Sequence, residues 1–375
     1  MKYNSRKFVF LAVIIVIAVC VAIYLLKVTK HSPKLETSRE NDTSPAQLPI
    51  RKSNSSESAK LDHAQELIRS LRDAATKISD PQALFFANAS ILEQLRLLGA
   101  DAIPACLVEI TDKTSPLSLR ILLIEFAAGL NGHKDTRLGQ TLMVIIGDAT
   151  DSKAVRMQAL QWIPQTGDES AGATILQLLP NQTDPNLEFG ITRAMRGFKV
   201  PGSVDILKPE LADEKSYLIR IAALHAVAAQ GGQEALTVLQ NAVASKLAVG
   251  SDESHVEENA VGVHAVLALG EIPDASSVSV LSSILTNPAD SVSVRNAAAK
   301  AIASIGGTAA TQALRGALQN TSDESVLVYI ARGLGLCGDA SDANACLARA
   351  AIVSDSYTKS ELERASHALQ ARIRQ

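Results

Sequence analysis

Five polar side chains recur at one register of this chain. Gln161, His225, His264, Lys300 and Arg332 each stand six residues ahead of a glycine, in stretches that are otherwise apolar. In the first such stretch the matching position is Glu125 or Phe126. Imidazoles titrate near neutral pH and ligate metals, so His225 and His264, if adjacent, could share a metal ion or titrate as a pair. No carboxylate occupies the same register to complete a metal site. Two readings of the column stand. It is a contact strip for a protein or peptide partner, or it is the solvated face that every surface helix needs.

Other reactive groups are few. Cys106 has the pattern of a core residue, between apolar neighbours on a helix. Cys337 and Cys346 lie nine positions apart across a turn, and are either a disulfide pair or two buried thiols packing like alanine. Residues 249–258 gather Asp252, Glu253, Glu257 and Glu258 into an acidic loop, read as a recognition element or a hydrated spacer. The order of acids there does not fit a calcium loop. The chain has no phosphate-binding glycine loop, no serine nucleophile elbow, no paired-histidine zinc motif and no Cys-x-x-Cys. No catalytic residue, cofactor or metal is expected.

The elements that position the column repeat. Glycines 132, 167, 202, 231, 270, 306 and 338 follow apolar helical patterns at intervals of 35, 35, 29, 39, 36 and 32 residues. Ser291–Gly307 is the clearest unit: Val294, Ala297, Ala298, Ala301, Ile302 and Ile305 share one helical face before a glycine stop. An arginine stands eleven residues before the stop in three units (Arg156, Arg220, Arg295) and twelve before it in another, Arg120. Shorter helices are predicted between these, over 102–112, 138–146, 170–179, 233–244, 276–285, 308–318 and 342–351. Fixed-period self-similarity of this length predicts a solenoid of stacked helix pairs, each burying its apolar face only against its neighbours. Aromatic residues make up only 3% of the chain, and the small side chains that replace them suit close helix stacking. Aligned through such a stack, the polar column lines the concave surface.

The Asp-x-x-x-x-Val-Arg-x-x-Ala pattern of Asp290–Gly306, carried in part by Leu211–Gly231 and Ser152–Gly167, resembles the HEAT-like repeats, including the short variety first noted beside phycobilisome lyases. Leu187–Gly202 departs from it, lacking the arginine and containing Phe198 and Pro201. The resemblance covers roughly residues 80–375. It implies an all-α, right-handed α-solenoid of seven to eight repeats. It also implies a rival to partner binding: a lyase-type protein holding a chromophore or prosthetic group in its groove, with His225 or His264 as the acid–base group. HEAT-repeat di-iron hydroxylases use His-Glu pairs as metal ligands, and that dipeptide is absent from this chain.

Outside the repeats, residues 8–26 form an uncharged apolar run long enough at 1.5 Å per residue to cross a hydrocarbon core of roughly 30 Å. The expectation is a short arm (1–7), one transmembrane signal anchor (8–26), a disordered tether (27–60) and a solenoid (61–375) on the extracytoplasmic side of a bacterial membrane. Residues 61–375 hold 26 Lys/Arg against 35 Asp/Glu, a balance that disfavours nucleic acid as partner. Together these readings predict a membrane-tethered scaffold and no enzyme. Charge reversal at Lys300 and Arg332 is expected to weaken partner capture without unfolding the chain.

Overall fold

In the computed structural model the described residues are 53–130, 135–166, 168–247 and 256–373. They fold as an α-solenoid. Three helices lead in: α1 (Ser53–Ala75), α2 (Pro81–Ala87) and α3 (Ala89–Leu98). Eight helix pairs follow: α4 (Ile103–Thr111) with α5 (Leu117–Gly129), α6 (Thr136–Gly147) with α7 (Lys153–Trp162), α8 (Ser170–Gln177) with α9 (Pro185–Ala194), and α10 (Ser203–Leu207) with α11 (Tyr217–Gln230). The series continues with α12 (Gly232–Leu247) and α13 (Val256–Leu269), α14 (Ser277–Thr286) and α15 (Val292–Ile305), α16 (Gly307–Asn320) and α17 (Glu324–Cys337), and α18 (Ala340–Ala350) and α19 (Ser356–Ile373).

Second helices stack on second helices from α5 through to α19, more closely than first helices meet first helices. Closer spacing marks the inner wall of a curved stack, so α5, α7, α9, α11, α13, α15, α17 and α19 form the concave layer. Small residues permit it. Buried Ala223, Ala226, Ala265, Ala268, Ala298 and Ala301 line the seams. A Cβ on Gly270 would lie 2.5 Å from Ala301 Cα, so the chain leaving α13 touches the α15 backbone and only glycine fits there.

Helix ends follow the chemistry of their turns. Asp80 and Asp184, each before a proline at the first helical position, accept from Ala83 N–H at 2.7 Å and Asn186 N–H at 2.9 Å. Ser291 caps α15 and Asp323 caps α17. Gly231 and Gly306 close α11 and α15 at φ near +69°, where a side chain would be strained. Gly202 does not end a helix. It is the left-handed cap that starts α10, because α9 stops at Ala194 and runs through a 3-10 turn over Met195–Gly197.

The arginine register has a structural task. Arg120, Arg156 and Arg295 each donate from Nε to a carbonyl closing the first helix of their own pair: Ile110 at 2.9 Å, Ile146 at 3.1 Å and Leu285 at 3.2 Å. These are carbonyls that an α-helix leaves without partners. Arg120 and Arg295 also reach an acid of the next pair, Asp151 at 2.6 Å and Asp323 at 3.1 Å. Arg220 pairs with Glu258 and Asp213, while its Nε finds no partner among the described residues. In α9 the register holds Glu188, and Lys215, from the turn before α11, reaches back to it. The departing repeat therefore keeps a clamp of opposite polarity.

Two expectations need correction, and one open alternative takes its unbridged form. No helix among the described residues is long and apolar enough to cross a membrane, and residues 8–26, on which the single-pass placement rested, lie outside them. That placement is withdrawn. Helix α1 begins at Ser53, inside the stretch read as a tether, so the polar residues 53–60 are the first turns of a helix whose Lys60 meets Asp101 at 2.6 Å. Cys337 and Cys346 are free: Cys346 is buried in α18, and half-buried Cys337 ends α17 with its carbonyl accepting from Thr311 Oγ1 at 2.8 Å.

Candidate functional site

The polar column runs along the inner wall. Glu125 (α5), Gln161 (α7), Arg193 (α9), His225 (α11), His264 (α13), Lys300 (α15) and Arg332 (α17) occupy equivalent places on successive helices. The position left open in α5 is Glu125, which is exposed; Phe126 is buried. Arg193 escaped the sequence reading because Gly202, used as the register mark, does not terminate α9.

Contacts join the column. Arg193 reaches Gln161 Oε1 at 3.3 Å and lies 5.3 Å from the centre of the Phe189 ring. His225 Nε2 and His264 Nδ1 are 2.9 Å apart, their rings edge to face. His225 Nδ1 meets Glu271 Oε1 at 2.8 Å, and Arg196 bonds the same carboxylate at 3.0 Å. Lys300 and Arg332 share the Tyr329 ring, at 5.0 and 5.4 Å from its centroid. Arg332 then reaches Glu361 at 2.8 Å and Tyr357 Oη at 2.6 Å on α19.

The histidines are thus adjacent, and a carboxylate from outside the column serves them. Glu271 sits one residue beyond Gly270, outside any helix, where helical periodicity gives no signal for it. Burial and then the neighbouring His225 hold His264 below the ordinary imidazole range, keeping it neutral at pH 7. Burial alone would raise the Glu271 carboxyl, yet the hydrogen bond from His225 and the charges of His225 and Arg196 keep it below the usual carboxylate range. An ionised Glu271 accepts the proton of His225 Nδ1–H. With His225 neutral, its Nε2 accepts from His264 Nδ1–H, which leaves the His264 Nε2 lone pair unused within this chain of bonds. Among the described residues no three His, Cys, Asp or Glu side chains are placed to hold a metal ion.

The acidic stretch divides. Asp252 and Glu253 lie outside the described residues. Glu257 and Glu258 belong to the first turn of α13 rather than to a loop, and Glu258 clamps Arg220. Arg332 also differs from expectation. Its partner Glu361 is 2% exposed, so reversing the charge at Arg332 would leave two carboxylates together and unsettle the end of the stack.

Residues 140–228 and 255–335 match the family described as HEAT repeats. No curated protein matches the chain. Among solved structures, human deoxyhypusine hydroxylase in complex with glycerol is 21% identical, covering 76% of this chain and 99% of its own, with a TM-score of 0.29. The Escherichia coli protein YibA is 16% identical over 76% of this chain and 99% of its own, with a TM-score of 0.41. Kap121p is 16% identical over 85% of this chain and 38% of its own, with a TM-score of 0.48. At these identities the likeness concerns helical-repeat architecture alone.

Proposed function

We propose that this HEAT-repeat solenoid is a non-enzymatic scaffold that holds a protein or peptide partner along its concave wall. One observation carries the reading: seven consecutive inner helices each place a polar side chain at the same register, and cations of that column rest on aromatic rings at Phe189 and Tyr329. Solvation alone requires no aromatic supports beneath the cations. Aromatic and arginine side chains are also the types that dominate binding energy at protein interfaces. The acidic balance of residues 61–375 argues for protein over nucleic acid.

The test places a photo-crosslinking amino acid at Gln161 or Lys300 on the inner wall, and at exposed Thr237 or Gln312 on the outer helices, in extract of the source cell. The scaffold reading expects discrete adducts from the inner positions only. Adducts of equal yield from both walls, or from neither, overturn it.

A further inference from the structure

The column has a charge pattern that specifies its occupant more closely. Arg193 and Lys300 are exposed, and neither pairs with a carboxylate among the described residues. Arg193 is held over Phe189 and Lys300 over Tyr329, so both cations are presented on rigid aromatic supports. Three helix spacings separate them, from α9 through α11 and α13 to α15. At 8–10 Å per packed helix that is about 27 Å. An extended chain rising about 3.3 Å per residue covers it in about eight residues.

Between the two cations stand His225 and His264. Groups facing this pair come from each neighbouring element: Glu271 beyond α13, Arg196 from the turn after α9, Arg193 along the column on α9, and Lys300 along it on α15. Arg196 and the ionised Glu271 offset one another. With both imidazoles neutral, the middle of the column carries no net charge and presents only the His264 Nε2 lone pair. Taking up one proton there turns the stretch from Arg193 to Lys300 into a run of three positive groups. A carboxylate laid opposite His264 stabilises that proton, so its binding and protonation are linked. Beside Lys300 a pocket of 180 Å³ opens, floored by Val263, Leu267 and Ala297 and edged by Ser293 and Tyr329, with room for a side chain next to the acid that Lys300 holds.

We infer that the inner wall is a docking groove for an extended acidic peptide segment, anchored by carboxylates at Arg193 and Lys300 and gripped more tightly when the His225–His264 pair is protonated. The inference rests on the scaffold reading and narrows it to one class of partner. A polyphosphate backbone fits less well, because it offers charge at every nucleotide while the cations here are widely spaced.

The experiment uses the full chain and a fluorescein-labelled Ser/Gly peptide with Glu at about positions 1, 6 and 9, matched to the helix spacing. Anisotropy is read at pH 7.5 and 5.5 and low salt, where the glutamates stay ionised. The comparison ligands are a peptide with the three Glu contiguous, a Gln version and a single-stranded oligonucleotide. The spaced peptide should bind best and tighten about fivefold to tenfold at pH 5.5, the range for one coupled proton. His264→Gln should abolish that gain. Lys300→Ala should weaken binding by up to about fivefold at both pH values. Circular dichroism of each variant checks that the fold is kept. Equal binding of spaced and contiguous peptides, preference for the oligonucleotide, or a pH gain that survives His264→Gln overturns the inference. If inner-wall photo-adducts persist while the peptide fails, the acidic-peptide inference falls and the scaffold reading stands. Loss of both removes both.

Discussion

Replacing Arg120 by methionine tests whether the arginine register holds neighbouring repeats together. Arg120 is 3% exposed and makes three bonds: Nε to the Ile110 carbonyl at 2.9 Å, and its two terminal nitrogens to Asp151 at 2.8 and 2.6 Å. Asp151 is itself buried in the turn before α7. Methionine retains much of the volume but leaves the carboxylate without its cation and the carbonyl without its donor. Breaking a buried pair by removing one partner costs about 3–5 kcal/mol. Arg156→Met is the internal control. Among the described residues Arg156 bonds only the Ile146 carbonyl, at 3.1 and 2.9 Å, and the expected loss is about 1–2 kcal/mol. Urea unfolding of the full chain, followed by circular dichroism and by Trp162 fluorescence in α7, reads both variants. Coincident probes show whether the stack unfolds as one unit. The double variant Arg120→Met with Asp151→Leu should recover most of the loss, since an apolar pair of similar volume removes the stranded charge. The pH dependence supplies a sign check. Burial pushes the Asp151 carboxyl up, but Arg120 overrides it and holds the carboxyl below the ordinary range. Its contribution is therefore present above the unfolded carboxylate pKa of about 3.9 and is lost as pH falls through the lower folded value. The gap between wild type and Arg120→Met should shrink on acidification through that window. Equal losses for Arg120→Met and Arg156→Met, or a gap that widens with acid, would refute the clamp.

Gly270→Ala should destabilise the stack by about 1–3 kcal/mol in the same urea assay, because the new methyl meets the Ala301 backbone; an unchanged midpoint would contradict the close approach. Denatured without reductant, Cys337 and Cys346 should each take one equivalent of alkylating reagent, seen by mass spectrometry; failure of both to react would mean a bridge. In the native protein at pH 8, Cys106 and Cys346 should be inert, since burial lifts their thiols to about 12 and about 11 and keeps them protonated. His264 should titrate in NMR below an exposed imidazole. Because its folded pKa is depressed, it contributes stability above the unfolded value of about 6.5 that is lost as pH falls through the folded value. An ordinary or raised value would remove burial as the governing influence.

Much of this architecture is legible in the sequence because a solenoid repeats its instructions. The apolar face of Val294, Ala298 and Ile302 and the glycine at 306 delimit α15 without help from distant residues. The adjacency of His225 and His264 follows from counting alone. Legibility fails where the count fails. Gly202 keeps the spacing of a stop but begins a helix, which hid Arg193. Glu271 and Arg196 reach the column from turns, and neither periodicity nor register points to a turn residue. Tyr329 and Tyr357 read as ordinary helix residues until the stacking of α17 on α19 sets them around Arg332. The polarity of Glu257 and Glu258 suggested a loop, whereas an acidic first turn is favourable at the positive end of a helix.

The reversed clamp at Glu188 and Lys215 restricts how such an array can be edited. A module that offers arginine forward must be followed by one that answers with an acid, as Arg120 is answered by Asp151. The α8–α9 module offers an acid and must be followed by one that answers with lysine. Duplicating or transplanting it ahead of a module that answers with an acid would set like charges against each other at the new junction, so this one joint fixes what can follow it.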